Sequence, residues 1–144
     1  YDEIYRTVDS FLEDYNKLAC RFTEEFGECP AIFRFPGGSI NNYNSGISHE
    51  LIAEMLRRGF VPFDWNISSR DAATVKLLPA ETIVNNVVSE AKKQPYGIVL
   101  MHDSAVKTTT AKAVGPMIDQ LREQGYELKA LTPETKSMLF AYGK

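Results

Sequence analysis

Three apolar stretches in this chain each meet residue types that do chemistry. The stretch 31–35 contains Arg34 and runs into Pro36, Gly37, Gly38 and Ser39. The stretch 60–63 runs into Asp64 and Trp65, and the stretch 97–101 runs into His102 and Asp103. A guanidinium pairs with carboxylates or oxyanions, a carboxylate orients and charges a neighbour, and an imidazole passes protons near neutral pH. Each of these residues taken alone reads equally well as an ordinary loop contact. What is specific is their joint placement at the ends of three separate apolar runs.

The elements that would hold them follow from periodicity. Ile4, Val8, Phe11, Leu12, Tyr15, Ala19, Phe22 and Phe26 recur at helical spacing and predict one long amphipathic helix, with Gly27 as its stop. A strand is predicted over 31–35. Ser48 reads as the N-cap of a helix carrying Leu51, Ile52, Met55 and Leu56, closed by Gly59. A second strand spans 60–63. Pro79 fits a first helical position ahead of Ile83, Val84, Val87, Val88 and Ala91. A third strand spans 97–101. Ala111, Val114, Ile118 and Leu121 mark the next helix, stopped by Gly125, and 127–131 reads as a last strand. Helix and strand alternate four times, which implies an α/β fold with parallel strands and outer helices. Part of a (β/α) barrel and a doubly wound open sheet are the two architectures that fit. In both, ligands meet the carboxyl ends of the strands, where Arg34, Asp64 and His102 fall.

Composition bounds the rest. The 144 residues are 44% apolar and 24% charged, with a net charge of −3. That is enough chain for one domain with its own core. The mildly acidic balance gives no support to nucleic-acid binding, which would show a basic patch or stripe. No apolar run nears the ~20 residues of a membrane span. The opening Tyr1-Asp2-Glu3-Ile4-Tyr5-Arg6 is charged from the start, unlike a signal peptide, and begins without Met inside a helical pattern. It reads as a processed or truncated start. Cys20 and Cys29 are too few for a disulfide scaffold and read either as two unrelated thiols or as one local disulfide of an exported protein.

The segments FRFPGGS, FDW and LMH, followed by a helix and GYELKAL, resemble the last three motifs of the polysaccharide deacetylases. This is carbohydrate esterase family four, the NodB-homology domain. The resemblance covers nearly the whole chain, which is similar to the bacterial peptidoglycan N-acetylglucosamine deacetylases. It implies a distorted (β/α) barrel, a metal-activated water attacking an acetamide carbonyl, and a divalent cation such as zinc. The family holds that cation with an aspartate of an Asp-Asp motif and two histidines of a His-x-x-x-His motif. This chain has only His49 and His102, far apart, and no Asp-Asp pair. YDEIY resembles the family segment that comes directly after the second metal-ligand histidine, so the metal motifs would lie upstream and 1–144 would be a partial catalytic domain. His49 matches no motif and reads as a surface residue in the first turn of a helix.

The resemblance also distributes roles. Arg34 would pair with the catalytic base, an aspartate from upstream, and keep it ionised. The backbone N–H of Gly37, after Pro36, would face the developing oxyanion. His102 would be the general acid and Asp64 its tether, fixing the ring and favouring its protonated form. Leu100 would line a pocket for the acetyl methyl, and Trp65 would wall that pocket, stack on a sugar, or simply pack in the core. Asp71, in the loop 68–72, is left outside the catalytic set. Gly37, Gly38 and Ser39 also read as a weak phosphate nest. The implied function is N-deacetylation of a cell-wall or extracellular polymer, with peptidoglycan ahead of chitin oligomers or acetylated xylan, at a bacterial cell surface or outside it. A non-catalytic carbohydrate-binding remnant is the alternative, and an unrelated small-molecule or nucleotide-binding domain the third reading. Open strand edges predict self-association or pairing with a separate amino-terminal piece.

Overall fold

The computed structural model describes residues Tyr1–Phe140. They form two compact units. The first comprises Tyr1–Asp64 and the segment from Leu131 onward, the second Trp65–Ala130.

The first unit begins with α1, Val8–Phe26. It starts one turn later than the periodicity predicts, because Thr7 is extended and its hydroxyl accepts the Ser10 N–H at 3.0 Å. At the far end the Gly27 N–H returns to the Thr23 carbonyl at 2.8 Å. β1 (Ile32–Phe33) pairs in parallel with β2 (Val61–Pro62), and α2 (Ser48–Arg57) connects them. Ile47, not Ser48, is the N-cap of α2, and it makes no side-chain capping bond. The Ser48 hydroxyl instead reaches the Ser45 carbonyl at 3.5 Å. The core of this unit is aromatic: Tyr5, Phe11, Tyr15 and Phe35 pack with Leu51, Ile52 and Met55. The rings of Tyr5 and Phe11 stack at 5.6 Å, and those of Phe33 and Phe35 meet edge-on at 4.8 Å.

The second unit holds β3 (Ile67–Ser68), α3 (Ala80–Ala91), β4 (Val99–Leu100) and α4 (Thr108–Glu123). Pro79 is the N-cap of α3, one place ahead of the first helical position expected for it, and it makes no side-chain capping bond. β3 and β4 pair in parallel, with Ser68 opposite Leu100. The core is aliphatic: Ile83, Val84, Val87 and Val88 of α3 meet Ala113, Met117 and Leu121 of α4 over Ile67.

Among the described residues the fold is therefore α/β with parallel strands, in two two-stranded sheets. Two elements differ from the sequence reading. β3 is not predicted, because Asn66-Ile67-Ser68 carries a single apolar residue. The predicted strand at 127–131 is irregular, and its apolar residues Leu128 and Leu131 are exposed, so no burial rewards an extended pairing. Cys20 and Cys29 are exposed free thiols. No helix among the described residues is long and apolar enough to cross a membrane.

Gly38 has a positive φ of 93°, and a Cβ placed there would collide with the ring of Phe140. Gly38→Ala is expected to cost more than the ~1 kcal/mol of a left-handed alanine, because backbone strain and ring displacement add. Urea unfolding of the variant against wild type measures it.

Candidate functional site

In the second unit, adjacent parallel strands bring two side chains together. His102 lies two residues beyond β4, and Asp71 lies three beyond β3. The Asp71 Oδ1 is 2.8 Å from His102 Nδ1, and its Oδ2 accepts the His102 backbone N–H at 2.9 Å and the Thr110 hydroxyl at 3.0 Å. The Lys107 ammonium donates to the Asp71 carbonyl. Asp71 is 2% exposed, whereas the His102 side chain is 37% exposed. A dry carboxylate thus grips one edge of a ring that remains open to solvent.

The loop that carries Asp71 is fixed at each residue. The Ser69 N–H continues the ladder to the Leu100 carbonyl, and the Ser69 carbonyl accepts from Asn86. Glu90 of α3 accepts the Ser68 N–H at 2.8 Å and the Arg70 guanidinium at 3.0 Å. Arg70 adopts φ 56°, an uncommon conformation for a residue with a side chain, and this turns the chain so that Asp71 faces β4. Burial alone would raise the Asp71 pKa. Hydrogen bonds from the His102 ring, the His102 N–H, Ser69 and Thr110 outweigh burial and hold the carboxyl below its usual range. The Ser68 N–H is the main cause that lowers Glu90, with Arg70 adding to it against a desolvation cost.

The first unit holds the other predicted residues. Arg34 is exposed directly after β1, and Pro36 and Gly37 are half-buried in the following turn. Asp64 lies two residues after β2 and is 1% exposed. Its carboxylate accepts the Ser39 N–H at 2.8 Å, the Ser39 hydroxyl, and the Phe140 N–H at 2.7 Å. Asp64 also donates its own N–H to the Met138 carbonyl. This is the role of a structural clamp between the glycine turn and the segment 138–140. The expectation that Asp64 tethers His102 is thereby corrected: the tether is Asp71. Trp65 and Leu100 are half-buried, Leu100 within β4 and Trp65 just ahead of β3. His49 is exposed in the first turn of α2. Among the described residues no group of three or more His, Cys, Asp or Glu side chains is placed to hold a metal ion. The residues present therefore do not fit the implied cation.

Comparison with known proteins places this geometry in context. No family model matches the chain. It is 33% identical over 107 residues to a peptidoglycan-N-acetylglucosamine deacetylase of Bacillus cereus, spanning 74% of this chain and 46% of that protein. Its whole length superimposes with a TM-score of 0.91, at 30% identity, on 66% of the catalytic domain of a peptidoglycan N-acetylglucosamine deacetylase from Eubacterium rectale. The chain belongs to the polysaccharide deacetylase family. A Bacillus cereus polysaccharide deacetylase matches 90% of the chain at 26% identity, with a TM-score of 0.76 over 61% of its own length. The chain thus spans about half to two-thirds of the deacetylases it matches.

Sequence reasoning missed Asp71 as the partner of His102. The usable signal was Ile67, a lone β-branched residue followed four positions later by an acid, much as the predicted strands lead into theirs. Because the fold stabilises ionised Asp71, that contribution is fully present above about pH 4 and is lost as pH falls through the lowered carboxyl value. Asp71→Asn is expected to remove this part of the acid sensitivity. Urea unfolding between pH 7 and pH 3 should show a shallower decline in the variant than in wild type.

Proposed function

We propose that this chain contributes the proton-donating part of an N-deacetylase acting on acetylated sugar polymers, with the N-acetylglucosamine of peptidoglycan as substrate, at the bacterial cell surface. The carrying observation is the Asp71–His102 pair, a buried carboxylate on Nδ1 of an open imidazole. The names of the relatives support the substrate class. The parallel pairs belong, in this reading, to the later part of a distorted (β/α) barrel.

Amide hydrolysis needs water added to the carbonyl carbon and a proton delivered to nitrogen before the C–N bond breaks. An amine expelled without that proton is a poor leaving group, and the intermediate collapses back. With Nδ1 committed to Asp71, Nε2 is the ring atom that presents the proton. It passes to the sugar nitrogen, acetate leaves, and the neutral ring is reprotonated by solvent. Asp71 keeps the ring from rotating and compensates its positive charge. Gly37 N–H serves as donor to the oxyanion, Arg34 pairs with the base, Leu100 borders the acetyl methyl and Trp65 the sugar; these roles rest on the family motifs.

Activation of the water is not assigned to residues 1–144, which offer no ligand set for a cation among the described residues. We assign the divalent metal and the aspartate base to a further segment, in the same polypeptide or in an associating chain. Calorimetry with zinc, cobalt and nickel should show no tight stoichiometric binding to these 144 residues, and they should release no acetate. An upstream-extended chain should do both. Tight binding and turnover by the 144 residues alone would overturn the assignment.

In the active form, His102→Asn is expected to lower kcat by about 10²–10⁴-fold with little change in KM, because the acid acts in the transition state. Steady-state kinetics on an N-acetylglucosamine oligomer measures it. Wild-type turnover would mean that another group protonates the amine.

A further inference from the structure

The turn after β1 has its carbonyls turned inward and held. The Pro36 carbonyl accepts from the Tyr5 hydroxyl at 2.7 Å and from the Asn41 side-chain amide at 3.2 Å. The same Asn41 amide donates to the Gly38 carbonyl at 3.2 Å. Asn44, fully buried, donates to the Gly38 and Ser39 carbonyls at 3.3 Å each. The two asparagines also brace one another: Asn41 Oδ1 accepts the Asn44 N–H at 3.2 Å, and Asn44 Oδ1 accepts the Asn41 N–H at 2.8 Å. The turn's N–H groups are used as well, with Gly38 donating to Phe35 and Ser39 to Asp64. The exception is Gly37, whose N–H has no acceptor among the described residues.

A trans peptide is planar, with its carbonyl and its following N–H on opposite sides. The chain contains no cis bond among the described residues. Two donors on the Pro36 carbonyl therefore set the direction of the Gly37 N–H. Were that plane to flip, a carbonyl would face the place of the N–H, and Tyr5 and Asn41 would each lose an acceptor in a buried setting, a costly exchange.

We propose that Tyr5 and Asn41 are positioning residues that preset the Gly37 N–H as a hydrogen-bond donor to negative charge developing on the substrate. The inference rests on the reading of Gly37 as oxyanion donor and adds what holds it in place. Two features of the chain support it. Gly37 has φ 79°, and a Cβ there would come within 3.0 Å of the Asn41 nitrogen, so the missing side chain is what admits the Asn41 amide beneath the turn. Tyr5 is 4% exposed, and burial pushes its hydroxyl well above the usual tyrosine range, so it remains a neutral donor at working pH.

The test uses Tyr5→Phe, Asn41→Ala and the double variant in the full-length natural chain that carries this sequence. The HN–Hα couplings and amide shift of Gly37, read by NMR, report the peptide plane. Kinetics on an N-acetylglucosamine oligomer report catalysis. The double variant is expected to show averaged Gly37 couplings and a kcat lowered by about 10²-fold, the usual effect of losing one oxyanion donor, with KM within about twofold. Tyr5→Phe should show a smaller change in the same two readouts. It removes one oxygen from a ring that stays packed, so it decides the matter if the double variant fails to fold. Unchanged Gly37 couplings would overturn the positioning role. Altered couplings with wild-type kcat would instead overturn the reading of Gly37 as oxyanion donor.

Discussion

The second unit is organised around one buried carboxylate. Asp71 has three donors on its two oxygens, and they come from the backbone after β4, from the His102 ring and from the first turn of α4. A buried carboxylate in this position must keep all its partners, because each lost hydrogen bond to an ionised group costs about 1.5–3 kcal/mol. The β3–β4 pairing, the left-handed turn at Arg70 and the approach of Thr110 are mutually dependent for that reason. The ring orientation of His102 is the outcome of that mutual dependence.

The same logic is used in the first unit for a different end. Asp64 is as dry as Asp71, but its donors are two backbone amides and a serine hydroxyl. None of those groups can carry a proton to a substrate at neutral pH. The carboxylate there has a mechanical task, joining the glycine turn to the later segment, and its neighbour Phe140 fills the space above Gly38. Two aspartates with similar burial thus differ in the chemistry of the groups that donate to them.

Much of the architecture was legible in the sequence. Long helices with wide apolar stripes announced themselves, since Phe11, Tyr15, Ile83, Val87 and Leu121 recur at a period only a helix explains, and each is buried. His102 and the strand before it were equally plain. What could not be read was β3, two residues long with one apolar side chain. Without β3, Asp71 sat in a featureless polar loop, and Asp64, next to an evident strand, took its place. The roles of Tyr5 and Asn41 were hidden for another reason. Their partners are carbonyls about 31 and five residues away, and a carbonyl has no signature in the identity of its residue.

The two cores also differ in colour, in the optical sense. All eight phenylalanines lie in the first unit, which also holds the buried tyrosines Tyr5 and Tyr15. The second unit has an aliphatic core and the only tryptophan, Trp65. The phenylalanine bands of the near-ultraviolet circular dichroism are therefore a reporter of the first unit, whereas indole fluorescence reports from the second. The molecule carries its own pair of spectroscopic labels, so the order in which its halves lose structure can be followed without introducing a probe.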